Sequence, residues 1–317
     1  MRVTFLGSPP FATPIFEALV ASERHEVVGL VTPPDRPKGR GRAVVRSGLA
    51  ARADELGAPV LQPESTKDTA FVEALAALGA DVLAVASYGE ILRQNVLDVC
   101  PHGALNVHAS LLPRWRGASP IQRAIAAGDE VTGVSIQRMV LKLDAGDVCH
   151  ARETPIGPRE TAADLFERLS QLGAEALVTA LDQLASGSAT YTPQDESLVT
   201  LAPKLTKADG EIDLRLPADE VERHVRAMTT WPGARLEIQG GRPLVVLEAE
   251  PVTAREGAKP GELLDANQFV LGAGAGTAVR LVRVKPAGKS AMDGAAFLRG
   301  ARIPSGWRAP LRQDAQS

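Results

Sequence analysis

The feature that most constrains the fold is a repeated alternation of strand-like and helix-like patterns in the first half of the chain. Apolar runs rich in β-branched residues, typical of buried strands, occur at residues 3–6, 27–31, 82–85 and 104–107. Between them, apolar residues at helical spacing predict helices at residues 15–20, 49–56 and 71–78. Because strand and helix alternate, the sequence predicts a mostly parallel, Rossmann-like sheet in an α/β domain, with helices on both faces.

The second half of the chain changes character. Two further strands are predicted at 133–139 and 148–154, then a long helix at 162–184. Residues 187–203 lose all periodicity and resemble an extended connection. After it come a helix candidate at 218–228 and short strands at 234–238, 244–249, 269–271 and 278–284, with a hairpin turn at Gly240-Gly241. We therefore predict a Rossmann-like domain over 1–188, a linker over 189–205 and a small C-terminal OB-like β-barrel over 206–317.

Composition restricts the class of protein. The 317 residues suffice for about two domains, and 44% hydrophobic with 23% charged residues is typical of globular chains rather than disordered ones. Two cysteines, Cys100 and Cys149, provide no disulfide framework and fit a reducing compartment. No apolar run approaches the roughly 18 residues of a membrane span. We expect a cytoplasmic protein.

Charge is distributed unevenly along the chain. The formal net charge is -3, but residues 1–203 carry 18 basic and 24 acidic side chains, whereas residues 204–317 carry 17 and 14. Residues 280–312 hold eight basic side chains and a single acid, Asp293. Such an excess is expected of a surface that binds a polyanion. A solvated basic tail is the alternative.

Two polar residues on one predicted strand suggest chemistry. Asn106 and His108 lie two residues apart and therefore share a face at the carboxyl end of the strand, where parallel α/β domains bind ligands. An amide can stabilise a developing oxyanion while an imidazole moves protons, which suits acyl transfer. Asp144, in the turn Asp144-Ala145-Gly146, could orient the imidazole or a water. Alone, each of these residues is also compatible with a structural role.

The sequence around this candidate site resembles that of a known protein family. The segment N-V-H-A-S-L-L-P-R-W-R-G at 106–117, followed by D-A-G-D at 144–147, resembles the formyltransferase family that uses 10-formyltetrahydrofolate. The segments F-L-G-S-P-P-F-A-T-P, T-P-P-D-R-P-K-G-R-G-R and A-S-Y-G-E-I-L are similar to the branch of that family that formylates methionyl-tRNA. W-P-G-A at 231–234 and K-P-A-G-K at 285–289 extend the resemblance over nearly the whole chain.

The resemblance implies a function. It implies transfer of the formyl group from 10-formyltetrahydrofolate, acting as co-substrate, to the α-amino group of methionyl-initiator tRNA. Asn106, His108 and Asp144 would then be the catalytic residues. The residues implied to bind the folate are Ser110, Leu111, Leu112, Pro113, Tyr88, Gly89, Ile91 and Leu92. The chain departs from the common G-L-D-T-G-D turn at Lys142 and Ala145, and Glu90 stands where an uncharged residue is common.

A second informative feature is a cationic loop at residues 33–46. Its cations are Arg36, Lys38, Arg40, Arg42 and Arg46. The loop follows a predicted strand, so it is expected near the active-site mouth, where a tRNA acceptor stem would bring phosphates. We predict that Arg36, Lys38, Arg40 and Arg42 bind tRNA, together with Arg280, Arg283, Lys285 and Lys289 of the C-terminal domain. Arg114 and Arg116, flanking Trp115, could extend this surface, although a packed Trp115 is equally compatible.

Three other functions are compatible with parts of the sequence. A dinucleotide-dependent oxidoreductase needs G-x-G-x-x-G, but residues 7–11 read G-S-P-P-F and lack its second and third glycines. A pure RNA-binding module leaves Asn106, His108 and Asp144 unexplained. A sugar-nucleotide N-formyltransferase would share these three residues but would not need the cationic loop.

The remaining expectations concern partners. Neither the five histidines nor the two cysteines show a recognised metal-ligand spacing, so we expect no metal. The expected partners are charged initiator tRNA and the folate co-substrate, with no membrane, and we expect a monomer.

Overall fold

The structure is a computed structural model that describes residues 1–38, 43–238, 241–301, 303 and 306–311. The chain divides into two units. Unit 1 contains Met1–Pro120, Val131–Pro155 and Phe166–Pro203. Unit 2 contains Ile121–Glu130, Ile156–Leu165 and Lys204–Ser317. The domain boundaries at residues 188 and 206 stay a prediction.

The secondary structure follows the predicted elements and adds short ones. The strands are β1 (Arg2–Gly7), β2 (Glu26–Val31), β3 (Pro37–Lys38), β4 (Ala43–Val44), β5 (Val60–Leu61), β6 (Val82–Ala86), β7 (Ala104–His108), β8 (Val131–Arg138), β9 (Val148–Pro155), β10 (Arg235–Ile238), β11 (Arg242–Val252), β12 (Leu263–Asp265), β13 (Val270–Gly272), β14 (Ala278–Pro286) and β15 (Met292–Asp293). The helices are α1 (Ala12–Ala21), α2 (Gly48–Glu55), α3 (Thr69–Ala77), α4 (Gln94–Leu97), α5 (Pro120–Ala127), α6 (Ala162–Ala185), α7 (Ala218–Ala227) and α8 (Gly294–Ala301).

Unit 1 is built on a seven-stranded sheet with the order β5-β2-β1-β6-β7-β8-β9 among the described residues. Strands β5, β2, β1, β6 and β7 pair in parallel, and β8 and β9 continue the sheet antiparallel. All five residues of β6 are buried, as expected for a strand covered on both faces. The carboxyl ends of the parallel strands share one edge, so the loops after β2, β6 and β7 meet there. The predicted α/β fold class is confirmed.

Helices cover this sheet through regularly spaced apolar residues. In α1 the buried residues Ala12, Ile15, Phe16 and Leu19 form one stripe, and the Phe16 ring lies 5.3 Å from that of Phe5 in β1. Helix α6 contacts the sheet closely at Gly173. A Cβ atom at Gly173 would lie 2.8 Å from Val107 Cγ1 in β7. The strand that carries Asn106 and His108 is thus packed tightly on its other face.

Unit 2 contains an antiparallel sheet with the order β10-β11-β14-β13-β12, and β15 pairs with β14. This arrangement confirms the predicted antiparallel C-terminal domain. Helix α7 packs against β11, and its residues Val221 and Val225 are buried. The hairpin predicted at Gly240-Gly241 joins β10 to β11, with Gly241 at φ +68° and Gly240 outside the described residues.

The helices include elements that the sequence did not predict, and none with the properties of a membrane span among the described residues. Helix α5 was not predicted, because its buried residues Ile121, Ala124 and Ile125 span little more than one turn and give a weak periodic pattern. Among the described residues, no helix is both long enough and apolar enough to span a lipid bilayer.

The close contact at Gly173 leads to a stability prediction. Alanine is favoured over glycine by about 1 kcal/mol inside a helix, whereas overpacking a core typically costs about 1–3 kcal/mol. Val107 is buried and β-branched, so it has little room to move. We therefore expect Gly173→Ala to lower the Tm in thermal denaturation. The matched control is Gly48→Ala in α2, because a Cβ atom there meets nothing within 4 Å. A Gly173→Ala protein at least as stable as the unsubstituted one would contradict this packing.

Candidate active site

Polar side chains occupy one face of the β7–β8 pair. In the register of the two strands, Asn106 lies opposite Gln137 and His108 lies opposite Ser135. Because side chains alternate along a strand, all four point to the same face. His108, Ser135 and Gln137 are buried, whereas Asn106 is half-buried. Among the described residues the Asn106 side chain forms no hydrogen bond, so its amide is available to a ligand.

The His108 imidazole lies between a carbonyl oxygen and a carboxylate. Its Nε2 atom lies 2.9 Å from the carbonyl oxygen of Trp115, and its Nδ1 atom lies 3.6 Å from Asp144 Oδ2. A carbonyl oxygen can only accept, so Nε2 carries a hydrogen and donates it. Nδ1 is therefore the ring nitrogen that faces the carboxylate. The imidazole is 6% exposed, which shields this pair from bulk water.

Asp144 is fixed from two sides. Its backbone has φ +48°, a left-handed conformation that Asp tolerates better than most residues. The Gln137 side-chain amide donates to Oδ1 at 2.9 Å, and the Gly117 N–H donates to Oδ2 at 2.9 Å. These bonds orient the carboxylate beside His108. The structure thus brings together the three residues singled out in the sequence.

Several residues that complete this cluster escaped the sequence analysis. Ser135 and Gln137 could have been found from strand register, since both lie on the alternating face of β8. Gln194 donates to the carbonyl oxygens of Asp144 and Gly146 at 2.9 and 2.7 Å. No sequence pattern indicates Gln194, because it lies in the segment predicted to be a linker.

The Ser110–Pro113 segment is fastened to the sheet. The Ser110 hydroxyl donates to Arg114 O at 2.6 Å, and the Ser135 hydroxyl donates to Ser110 O at 2.8 Å. Ser135 Oγ also accepts from the N–H of Leu112 at 3.0 Å. Ser110 is fully buried, while Leu111, Leu112 and Pro113 are half-buried. The segment offers an apolar surface beside the site.

The loop after β6 lies next to the end of β7, because Ala86 pairs with Val107. Gly89 is exposed with open space around it, and Ile91 is 81% exposed. Burial raises the pKa of Tyr88 to about 12, with a smaller contribution from the nearby Glu90. Leu92 is instead buried in the core, so its side chain does not line a surface.

Glu90, a departure from the family pattern, has a local structural role. Its Oε2 atom accepts a hydrogen bond from the Thr66 N–H at 3.0 Å. The carboxylate thereby ties the loop after β6 to a neighbouring loop.

Arg46, at the end of the cationic loop, has a structural role. The guanidinium of Arg46 donates to both carboxylate oxygens of Asp54, at 2.9 and 2.8 Å, and also to Asp35 and Gln62. Arg46, which is not among the residues predicted to bind tRNA, therefore has its charge neutralised within the unit. Arg36 is exposed. Lys38 lies in β3 with its side chain outside the described part, and Arg40 and Arg42 lie outside the described residues.

The arginines that flank Trp115 differ. Arg116 is 2% exposed and donates to Gln194 Oε1 and Glu196 Oε1, both at 2.9 Å. The expectation that Arg116 extends a tRNA-binding surface is wrong, because its side chain is buried in a polar network. Arg114 is exposed, and its guanidinium carbon lies 4.4 Å from the centre of the half-buried Trp115 ring.

The basic residues of unit 2 also divide into two groups. Arg280 forms an ion pair with Glu250 and a hydrogen bond with Gln268, so much of its capacity is used within the unit. Arg283, Lys285 and Lys289 are exposed, and the first two extend from one face of β14. Arg302 and Arg312 lie outside the described residues.

Comparison with known proteins matches both units to families. Residues 1–181 match the formyl transferase family, and residues 204–302 match the formyl transferase C-terminal domain. A methionyl-tRNA formyltransferase of Chromohalobacter salexigens is 48% identical over 97% of this chain and 97% of its own. A methionyl-tRNA formyltransferase of Thermobifida fusca is 44% identical over 97% of this chain and 99% of its own.

A solved structure shares the fold. HypX from Aquifex aeolicus, determined in complex with tetrahydrofolic acid, aligns with a TM-score of 0.63 at 20% identity. The alignment covers 100% of this chain and 51% of HypX, so the chain spans about half the length of that protein. From its two matching domains and its near full-length similarity to the two relatives, the chain belongs to the formyl transferase family.

Proposed function

We propose that the chain transfers the formyl group of 10-formyltetrahydrofolate to the α-amino group of methionyl-initiator tRNA. The observation that carries this proposal is the convergence of Asn106, His108 and Asp144 on one shielded polar cluster at the carboxyl end of β7. The relatives named methionyl-tRNA formyltransferase, at 44% and 48% identity, support the same activity.

Asn106 would stabilise developing charge. The folate supplies a formyl group activated on a nitrogen, and the formyl oxygen becomes negative as the amine of the substrate attacks. The Asn106 amide has no hydrogen-bond partner among the described residues, so it can donate to that oxygen. A donor fixed in a water-poor site stabilises such charge better than water does.

His108 and Asp144 would handle the proton. The attacking nitrogen must lose a proton, and the leaving nitrogen must gain one. The Trp115 carbonyl accepts from His108 Nε2, which leaves Nδ1 as the nitrogen that exchanges a proton. Asp144, held by Gln137 and the Gly117 N–H, would keep the ring oriented and balance its charge when protonated.

The surfaces around the trio fit a folate. An aromatic ring system needs an apolar wall and a few backbone hydrogen-bonding groups. We propose Ser110, Leu111, Leu112 and Pro113 as the wall and the backbone of Tyr88, Gly89, Ile91 and Leu92 as the polar edge. The open space at Gly89 and the half-buried Leu111 and Leu112 are consistent with that assignment.

Cationic side chains of both units would bind the tRNA. We propose Arg36, Lys38, Arg40 and Arg42 of unit 1, and Arg283, Lys285 and Lys289 of unit 2, with Arg280 contributing less because of Glu250. A monomer in the cytoplasm and selectivity for the initiator tRNA are further parts of this proposal.

A sugar-nucleotide N-formyltransferase is the less supported alternative, since it would share the trio. The discriminating experiment supplies labelled 10-formyltetrahydrofolate with charged initiator tRNA, charged elongator tRNA or an amino-sugar nucleotide. We expect label to pass to the initiator tRNA. Preferred transfer to the amino-sugar nucleotide would replace the proposal with the alternative.

The roles of Asn106 and His108 predict specific kinetic losses. Asn106→Ala should lower kcat by about 10² to 10³ with little change in folate binding, the usual effect of losing one oxyanion donor. His108→Ala should lower kcat at least as much. In the double variant, the loss of transition-state stabilisation should be far smaller than the sum of the two single losses, because the residues act as a unit. Single-turnover assays with equilibrium folate titration measure both effects. Near-normal turnover in either single variant would refute this mechanism.

The cationic loop predicts a contrast between two arginines. Arg36→Ala should raise KM for tRNA and make the log–log salt slope shallower by up to about 0.9, the value for one phosphate contact. Its Tm should not change, because Arg36 is exposed. Arg46→Ala should instead lower the Tm, because it breaks the bonds to Asp54, Asp35 and Gln62. Equal KM effects without a Tm difference would mean that the two arginines play the same role.

The exposed cations of β14 predict a salt effect. Arg283→Gln with Lys285→Gln should flatten the log–log salt dependence of tRNA binding by up to about 1.8, at about 0.9 per phosphate contact. The control, Arg223→Gln with Arg255→Gln, removes the same charge from arginines already paired with Asp219 and Glu262. The measurement is tRNA titration at several salt concentrations. Identical slopes for the two double variants would exclude β14 from the tRNA-binding surface.

A further inference from the structure

The segment from residue 192 to residue 202 is anchored to unit 1 at both ends. Thr192 and Val148 exchange two backbone hydrogen bonds, at 3.0 and 2.9 Å. At the other end, the Arg116 N–H donates to Thr200 O at 2.9 Å, and the Ala202 N–H donates to Arg116 O at 2.7 Å. The residues between these anchors therefore run from the start of β9 to the loop after β7.

Gln194 lies within this segment, and both the nitrogen and the oxygen of its side-chain amide form hydrogen bonds. Its Nε2 atom donates to Asp144 O at 2.9 Å and to Gly146 O at 2.7 Å. Its Oε1 atom accepts from Arg116 Nε at 2.9 Å. Arginine can only donate, so the atom that faces it must be the oxygen, and the amide has one possible orientation.

Arg116 is itself held in place by an ion pair with Glu196. Its side chain is buried, and its second nitrogen donates to Glu196 Oε1 at 2.9 Å. Lys142 Nζ donates to the other oxygen of Glu196 at 2.6 Å. Arg116 and Lys142 lower the pKa of Glu196 to about 2, so this carboxylate stays ionised at neutral pH. Lys142, a departure from the family pattern, thus helps to hold the segment against the turn.

The turn that carries Asp144 needs such support. A non-glycine residue at φ +48° persists when its surroundings impose that conformation. The turn also lies tightly against β8, because a Cβ atom at Gly146 would overlap Arg138 O at 1.6 Å. The bond to Asp144 O fixes the peptide plane that follows the Asp144 Cα, and the bond to Gly146 O fixes the end of the turn.

We propose that Gln194 is a positioning residue for formyl transfer, which keeps the Asp144 carboxylate facing His108 by binding the Asp144 and Gly146 carbonyl groups. The kinetic part of this inference rests on the proposed function. Gln194 acts through the turn and does not touch the substrate. The segment predicted as a linker is in this respect part of the catalytic machinery.

The test uses Gln194→Glu in the full-length enzyme. Glutamate has the same shape and can still accept from Arg116, but a carboxylate cannot donate to two carbonyl oxygens. We expect kcat to fall by about 10- to 100-fold, with KM for folate and tRNA within about twofold, because small misplacements of a reacting group cost that much. The matched control is Gln171→Glu on the exposed surface of α6, which should not change kcat. Gln194→Met removes the amide without adding charge and should act in the same direction, so the test stands if the glutamate variant is unstable.

A double-mutant cycle separates positioning from general destabilisation. In an Asp144→Asn background, adding Gln194→Glu should lower kcat by less than about threefold, because the effects of substituting two residues that act through one another are not additive. The inference is overturned if both Gln194 variants keep kcat within about threefold of the unsubstituted enzyme, or if the full loss persists in the Asp144→Asn background.

A readout without substrate distinguishes this inference from the proposed function. The Gly117 N–H donates to Asp144 Oδ2, so its hydrogen exchange reports where the carboxylate lies. Exchange at Gly117 should become at least about tenfold faster in Gln194→Glu and stay unchanged in Gln171→Glu. Unchanged exchange would overturn the positioning role. If exchange responds while the unsubstituted enzyme fails to formylate methionyl-tRNA, the proposed function fails and the positioning of Asp144 stands.

Discussion

The burial of polar side chains on one face of β7 and β8 is the constraint on which unit 1 depends. A buried donor or acceptor without a partner costs about 1–3 kcal/mol, so each must be satisfied by the chain around it. The carbonyl oxygen of Trp115 accepts a hydrogen bond from His108, and the Asp144 carboxylate accepts one from the Gln137 amide. The Ser135 hydroxyl donates to Ser110 O and accepts from the Leu112 N–H. The loop after β7 and the turn after β8 must therefore follow paths that bring these hydrogen-bond partners to the buried side chains. Asn106, half-buried and without a partner among the described residues, is the exception that leaves a donor for chemistry.

The sequence predicts what local patterns encode. The longer strands of unit 1 (β1, β2, β6, β7, β8 and β9) and the helices α1 and α6 follow from apolar runs and helical spacing, which are properties of neighbouring residues. The pairing of Asn106 with His108 follows from strand alternation in the same way. Asp144 could be offered from its turn as a third group, but the family resemblance assigned its role, because one of the two hydrogen bonds that orient it comes from Gly117, 27 residues earlier.

Arginine partners and Gln194 could not be predicted, because they depend on contacts between distant residues. Arg46 and Arg116 have the same local character as arginines that bind phosphate, yet Arg46 pairs with Asp35 and Asp54 and Arg116 pairs with Glu196. Gln194 lies 50 residues from Asp144, in a segment whose composition is typical of a linker. A count of cations along a sequence therefore overestimates a phosphate-binding surface until the carboxylates near each cation are known.

The interleaving of the two units has a consequence for how the protein is made. The chain passes between them five times, and residues 121–130 and 156–165 belong to unit 2 although they are synthesised well before most of it. Arg123 pairs with Asp209, and Arg226 donates to Glu160 O, so these early segments find their partners only after the later ones have left the ribosome. Until then Arg123 lacks its carboxylate partner and the carbonyl oxygen of Glu160 lacks its donor. Vectorial synthesis thus completes unit 2 only after every segment of unit 1 has been made.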